Sequence, residues 1–210
     1  MNRTGGGRDS GGPRDTRGPM TQDAIPQGPT IRSVVFMGQV ITFALAKGAV
    51  IFSALAVYLV LSGTLGGDGG DGPAANGATA GGPTLDQALP LLGVLLLAVG
   101  GVAAVWVPGL LRSQAIGRFR QSGETITHPL AETTPLPPAT PIGNLVAGLM
   151  SATLVSQAIL EGVASANAMF LILTGQWFVM IPASIAIFGI VAQVPTAGKV
   201  MDRLEMISRS

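Results

Sequence analysis

The chain has 210 residues, of which 48% are hydrophobic and only 11% charged, with a formal net charge of +1. Soluble domains carry about 25% charged residues, so this composition excludes an ordinary water-soluble surface. There is no cysteine and a single histidine, His128, which excludes disulfides, thiol catalysis, thiolate metal sites and any imidazole cluster.

Residues 1–30 are rich in Gly, Arg, Asp and Pro and show no apolar period. Such a stretch buries too little surface to order and reads as a disordered tail. No apolar core of a secretory signal occurs before Ile31. The tail has no aromatic residues, and Asp9, Asp15 and Asp23 interrupt its arginines, so it reads as a solvated tether and not as a nucleic-acid-binding arm.

Residues 31–111 are expected to form a first helical hairpin. Its first apolar run, 34–61, carries one charge, Lys47, and spans about 42 Å as a helix against roughly 30 Å of hydrocarbon. A Gly-rich external loop, 63–87, follows without any Lys or Arg. Its single GGDGGDG stretch lacks the stacked copies that complete a calcium site. The second run, 88–111, has Pro90 and Pro108 near its ends and Trp106 where an interface is expected. Residues 112–141 are a polar connecting segment with three arginines in front and a Pro/Thr-rich part behind; it is expected to begin helical and end extended.

A second hairpin is expected over 142–195. Its first run, 142–173, surrounds a lone Glu161; the link TGQW then leads into the run 178–194, whose length is close to the minimum for a crossing. The end, 196–210, is amphiphilic and reads as a short helix on the membrane surface, with Val200, Leu204 and Ile207 on one side.

Lys and Arg in short loops mark the cytoplasmic side. Of the twelve basic residues, Arg3, Arg8, Arg14, Arg17 and Arg32 precede the first span. Arg112, Arg118 and Arg120 follow the second span, and Lys199, Arg203 and Arg209 follow the fourth. Only Lys47 lies within a span. A four-helix threading therefore puts both termini on the cytoplasmic side of the inner (plasma) membrane.

The two hairpins also resemble each other. ALAKGAVIFSALAVYLVLSG (44–63) compares with AILEGVASANAMFLILTG (158–175), sharing in part an Ala-x-Leu-charge-Gly pattern and then Ser-Gly or Thr-Gly. WVPGLLRSQ from Trp106 compares with QVPTAGKVMDR from Gln193, where Val-Pro closes the span ahead of basic residues. Repeats two helices apart would be parallel hairpins and not an inverted repeat.

Glu161 falls well inside its span, where a carboxylate costs about 2.5 to 3.5 kcal/mol on insertion scales. Gln157 and Ser165 lie one turn away on either side, and Ala158, Ala164 and Ala168 keep that face small. Lys47 holds the corresponding place in the first span. Three states meet the cost: a Lys47–Glu161 ion pair, a snorkelling Lys47 with a protonated Glu161, or an ion or proton relay. Gln39, Ser53, Asn144 and Asn167 are available for interhelical hydrogen bonds, and Gly100-x-x-x-Ala104 and Gly148-x-x-x-Ala152 are small-residue contacts.

Two hairpins with one membrane carboxylate, Glu161, resemble the duplicated proteolipid (c) subunits of rotary ATPases, which implies a proton- or ion-conducting role. That family carries its carboxylate on the second helix of a hairpin, whereas Glu161 is on the first. ALAKGAVIF and AILEGVASANAMFLILTG, with Val-Pro before basic residues, are similar to small uncharacterised bacterial four-helix membrane proteins, which implies no particular activity. No phosphate loop, zinc motif or hydrolase elbow occurs in the chain. The expectation is an all-α integral membrane protein with four transmembrane helices. It would be non-enzymatic, without a cofactor, with the lipid bilayer and a membrane complex or further copies of itself as partners.

Overall fold

The computed structural model describes residues 28–63, 85–126, 130–137 and 139–209. Most of the expected disordered tail (1–27), most of the Gly-rich loop (64–84) and His128 lie outside the described residues. Among those described there is no strand, only an isolated bridge between Thr30 and Pro135. The elements are α1 (Ile31–Leu61), α2 (Leu85–Gln121), α3 (Pro141–Thr174), a 3₁₀ turn (Trp177–Val179) running into α4 (Met180–Ala192), and α5 (Ala197–Ser208).

Local chemistry sets these boundaries. Thr30, Thr140 and Thr196 are extended residues whose side chains accept from the backbone N–H of Ser33, Gly143 and Lys199, each satisfying an otherwise orphan donor of the first turn. Pro141 occupies the start of α3, where its missing N–H costs nothing. α3 stops at Gly175, which adopts φ 65° and donates to the Leu171 carbonyl at 2.8 Å; only a residue without Cβ takes that left-handed turn cheaply. α2 continues past its apolar run as far as Gln121, so the connecting segment does begin helical. Its later part runs beside the start of α1: the Leu136 N–H donates to the Pro29 carbonyl at 2.8 Å, and the Arg32 N–H to that of Glu132 at 3.0 Å.

α3 is the central helix, packed against α1, α2 and α4. Three buried layers follow one another along it. At one end Ile31, Val35, Phe119, Leu145, Leu149 and Leu204 come together. In the middle Ala49, Ala104, Leu160, Val163, Ala186 and Ile190 meet, and at the far end Ala56, Ala168, Leu171 and Val179. α1 and α3 therefore run parallel, with α2 and α4 antiparallel to them. α4 runs from the far layer to the middle one, and the link after it reaches the first, where a Cβ on Gly38 would lie 3.1 Å from the Pro195 ring.

Three helices are long and apolar enough to cross a membrane, or up to four if the bent pair Trp177–Ala192 and Ala197–Ser208, angled by 69°, counts as one span. α5 has the amphiphilic face expected of it, but the bundle covers that face. Val200 and Leu204 are buried in the layer with Ile31 and Leu145, and Ile207 packs against it.

Candidate intramembrane polar site

α1 and α3 meet along a seam of small and polar residues. Gln157 is fully buried. The Thr42 hydroxyl faces both the Gly38 carbonyl at 2.8 Å and Gln157 Oε1 at 3.0 Å, so its single proton is shared between two acceptors. Gln157 Nε2 in turn donates to the Gln193 carbonyl at the end of α4, at 3.4 Å. Gln39 Nε2 donates to the Pro195 carbonyl at 2.9 Å. These bonds tie α1 and α3 to the break between α4 and α5, where helix-terminal carbonyls have no intrahelical donor.

One turn further along α3, Glu161 is half-buried and faces the backbone of α1: a Cβ on Gly48 would lie 3.6 Å from its Oε1. Lys47, the preceding residue, is exposed on the outside of the bundle. Among the described residues no ion pair joins Lys47 to Glu161. The structure thus brings Gln157 and Glu161 to the α1–α3 seam and leaves Lys47 outside it, although the depths match because Gly48 is Lys47's neighbour. Ser165 is half-buried. Ala164 and Ala168 are fully buried, while Ala158 is exposed. Beyond them Ser53 Oγ is buried without a partner.

The α2–α3 contact is closed differently. A Cβ on Gly100 would overlap the Val163 side chain, one on Gly93 the Asn167 amide, and one on Gly148 would lie 2.7 Å from the Ala115 Cβ. Ser156 Oγ donates to the Ala104 carbonyl at 2.6 Å. Both small-residue motifs read from the sequence therefore sit where two helices touch. Of the expected interhelical donors only Gln39 bridges two elements. Asn167 donates to Val163 of its own helix at 2.9 Å and leaves Oδ1 buried and unpartnered, and Asn144 is exposed.

Among the described residues, no group of three or more His, Asp or Glu is placed to hold a metal ion. The seam offers one carboxylate, amides and hydroxyls, a set that can hold helices in register or pass a proton or small cation. Sequence reasoning missed a second polar feature, at the end of the bundle where α1 begins. There Arg112 of α2 lines the same cavity as Lys199 and Arg203 of α5. Its only sequence signal is the one-turn spacing of Lys199 and Arg203. Compared with protein-family models, with curated proteins and with solved structures, the chain matches none.

Proposed function

We propose that the chain is a multi-pass inner-membrane protein with four crossings and both termini cytoplasmic, and that it serves as a non-enzymatic structural or accessory subunit of a membrane complex. The observation that carries this reading is its exterior. Large apolar side chains lie exposed along α1, α2 and α4, among them Phe43, Ile51, Val102, Val105, Ile185 and Phe188, while the polar Thr42 and Gln157 are buried in the α1–α3 seam, bonded to each other and to backbone carbonyls. A surface of that kind is covered by lipid or by another helix.

Exposed aromatics support the placement. Trp177 and Tyr58 are exposed at the far end, and Trp106 is exposed near the turn whose Ala104 carbonyl meets Ser156. About 27 Å of α3 separates that level from the end of the helix, close to the thickness of a hydrocarbon core, and aromatic residues concentrate at its two faces. Lys47 then lies about one helical turn inside the boundary, near enough for its ammonium to reach water along its own stem. The return of the chain through α4 to α5, which packs at the end where α1 starts, supports an even number of crossings. Parallel α1 and α3 are consistent with two related hairpins, although α3, not α1, is the main partner of α2.

Purification in a mild detergent tests the accessory role. The protein is expected to emerge in a complex with a second polypeptide or with further copies of itself; a strictly monomeric protein without companions would oppose it. Replacing Lys47 by Met and Glu161 by Gln together is expected to leave that complex assembled.

A second reading, a proton- or ion-conducting subunit, is favoured by one observation: the half-buried Glu161 has no ion pair among the described residues. Carbodiimide labelling of Glu161 that slows with added sodium or at high pH is expected on this reading. An unreactive Glu161 in native membranes removes it.

A further inference from the structure

A second unmatched charge in the described structure is at the end of the bundle where α1 begins. Arg112 of α2 reaches toward the elbow between α4 and α5, and its Nε is buried without a hydrogen-bond partner. α5 brings Lys199 and Arg203, one turn apart, to the same cavity of about 170 Å³, floored by Met150 and Thr153 of α3. A second cavity of about 300 Å³ shares Arg112, Arg203 and Leu149 and adds Arg120 beside the apolar Ile116 and Met206. No Asp or Glu lines either cavity. The acids of α5 lie elsewhere: Asp202 and Glu205 share a separate cleft with Arg209, and Glu205 is paired with it.

Arg112 and Arg203 are close enough for their like charges to oppose each other. Holding such cations together without a carboxylate is costly, and an anion bridging them removes the cost through charge-assisted hydrogen bonds. The positive end of the α5 dipole lies beside the same cavity, since Val194, Pro195 and Lys199 line it. Arg112 also lies about 9 Å of helix beyond Trp106. If Trp106 marks the edge of the hydrocarbon, that is the level of lipid headgroups, where basic pockets between helices hold anionic ones.

We infer that this cleft is a binding site for a phosphate group, gripped by Arg112 and Arg203 with Lys199 at its edge. An anionic phospholipid supplies that group at this depth, with its glycerol and upper acyl chain against Leu149, Ile116 and Met206; a soluble phosphate ester is the other source of the same chemistry. The lipid source rests on the membrane reading above, whereas the soluble source does not.

Native mass spectrometry of the full-length protein in mild detergent tests the site, with phosphatidylglycerol, phosphatidylcholine and glycerol 3-phosphate as probes. The variants are Arg203→Gln, Arg112→Gln and, as a control lining a different cavity, Arg118→Gln. Phosphatidylglycerol is expected to bind at least about tenfold more tightly than phosphatidylcholine. That preference should fall about tenfold in either cleft variant and persist in Arg118→Gln. Loss of glycerol 3-phosphate binding in the cleft variants, with no preference for phosphatidylglycerol over phosphatidylcholine in the wild type, would support the site and assign it to a soluble ester. Equal binding of every probe by wild type and Arg203→Gln overturns the site, and Arg203→Gln decides the matter should Arg112→Gln fail to fold. Flotation of the same proteins with vesicles keeps the readings apart: a protein that floats but shows no cleft-dependent preference refutes the site alone.

Discussion

The two faces of α3 are closed by different means. Toward α2, Gly100 and Gly148 let backbones approach so closely that Val163 and Ala115 fill the space a Cβ would need. Toward α1, contact is made through Thr42, Gln157 and Glu161, and a Cβ at Gly48 would meet only ordinary van der Waals distance. In a membrane, association relies on close packing and interhelical hydrogen bonds because lipid is as apolar as the helices. One helix here uses the first device on one side and the second on the other. The α2–α3 face should therefore be the sterically unforgiving one, and the α1–α3 face the tolerant one.

Gly100→Leu tests the unforgiving side. Forcing a branched side chain against Val163 is expected to cost about 3 kcal/mol, at the upper end for overpacking, and to lower the thermal midpoint in detergent markedly. An unchanged midpoint would remove the steric contrast. Gln157→Leu comes next, because it takes the side-chain donor from the Gln193 carbonyl and the α3 acceptor from Thr42, whose hydroxyl keeps only the Gly38 carbonyl of its own helix; about 1 to 2 kcal/mol is expected. Combining it with Thr42→Val should cost less than the sum of the two single changes, and strict additivity in that cycle would show that the bond does not couple the helices. Glu161→Gln should change stability by less than about 1 kcal/mol, since a neutral amide inserts more cheaply and no ion pair is broken; a collapse of the fold would reveal a charge partner. The smallest effect, and of opposite sign, is expected at Gly48→Ala. Removing a glycine from the interior of α1 should stabilise by about 0.5 kcal/mol, and a loss of stability there would mean that the α1–α3 face is as tight as the other.

The long helices were legible in the sequence because a span needs a long apolar run, and α1 and α3 each carry one interrupted by a single charge. Gly100 and Gly148 could be picked out because small residues at four-residue spacing share a helix face. The central position of α3 was not legible: the order of helices in the chain does not say which pair packs, and two hairpins side by side predicted closer company for α1 and α2. Glu161 lies against Gly48, the neighbour of Lys47. The rotation of Lys47 and Glu161 about each helix axis decides whether they meet, and one residue, about 100° of turn, puts Gly48 against the carboxylate and Lys47 outside. The face of α5 was visible as an amphiphilic pattern, but such a pattern does not distinguish a lipid surface from the end of its own bundle, which is what covers Val200 and Leu204. The Arg112 cleft joins residues from distant parts of the chain, so only tertiary structure could reveal it.

An even number of crossings with the basic end cytoplasmic is open to a direct test. The chain contains no cysteine, so single-cysteine variants report cleanly. With a membrane-impermeant maleimide on intact cells, Ala75→Cys is expected to label at once, and Ser122→Cys and Ser208→Cys only after the membrane is opened. Labelling of Ser208→Cys on intact cells would contradict the account, because the last helix would then not bring the chain back across.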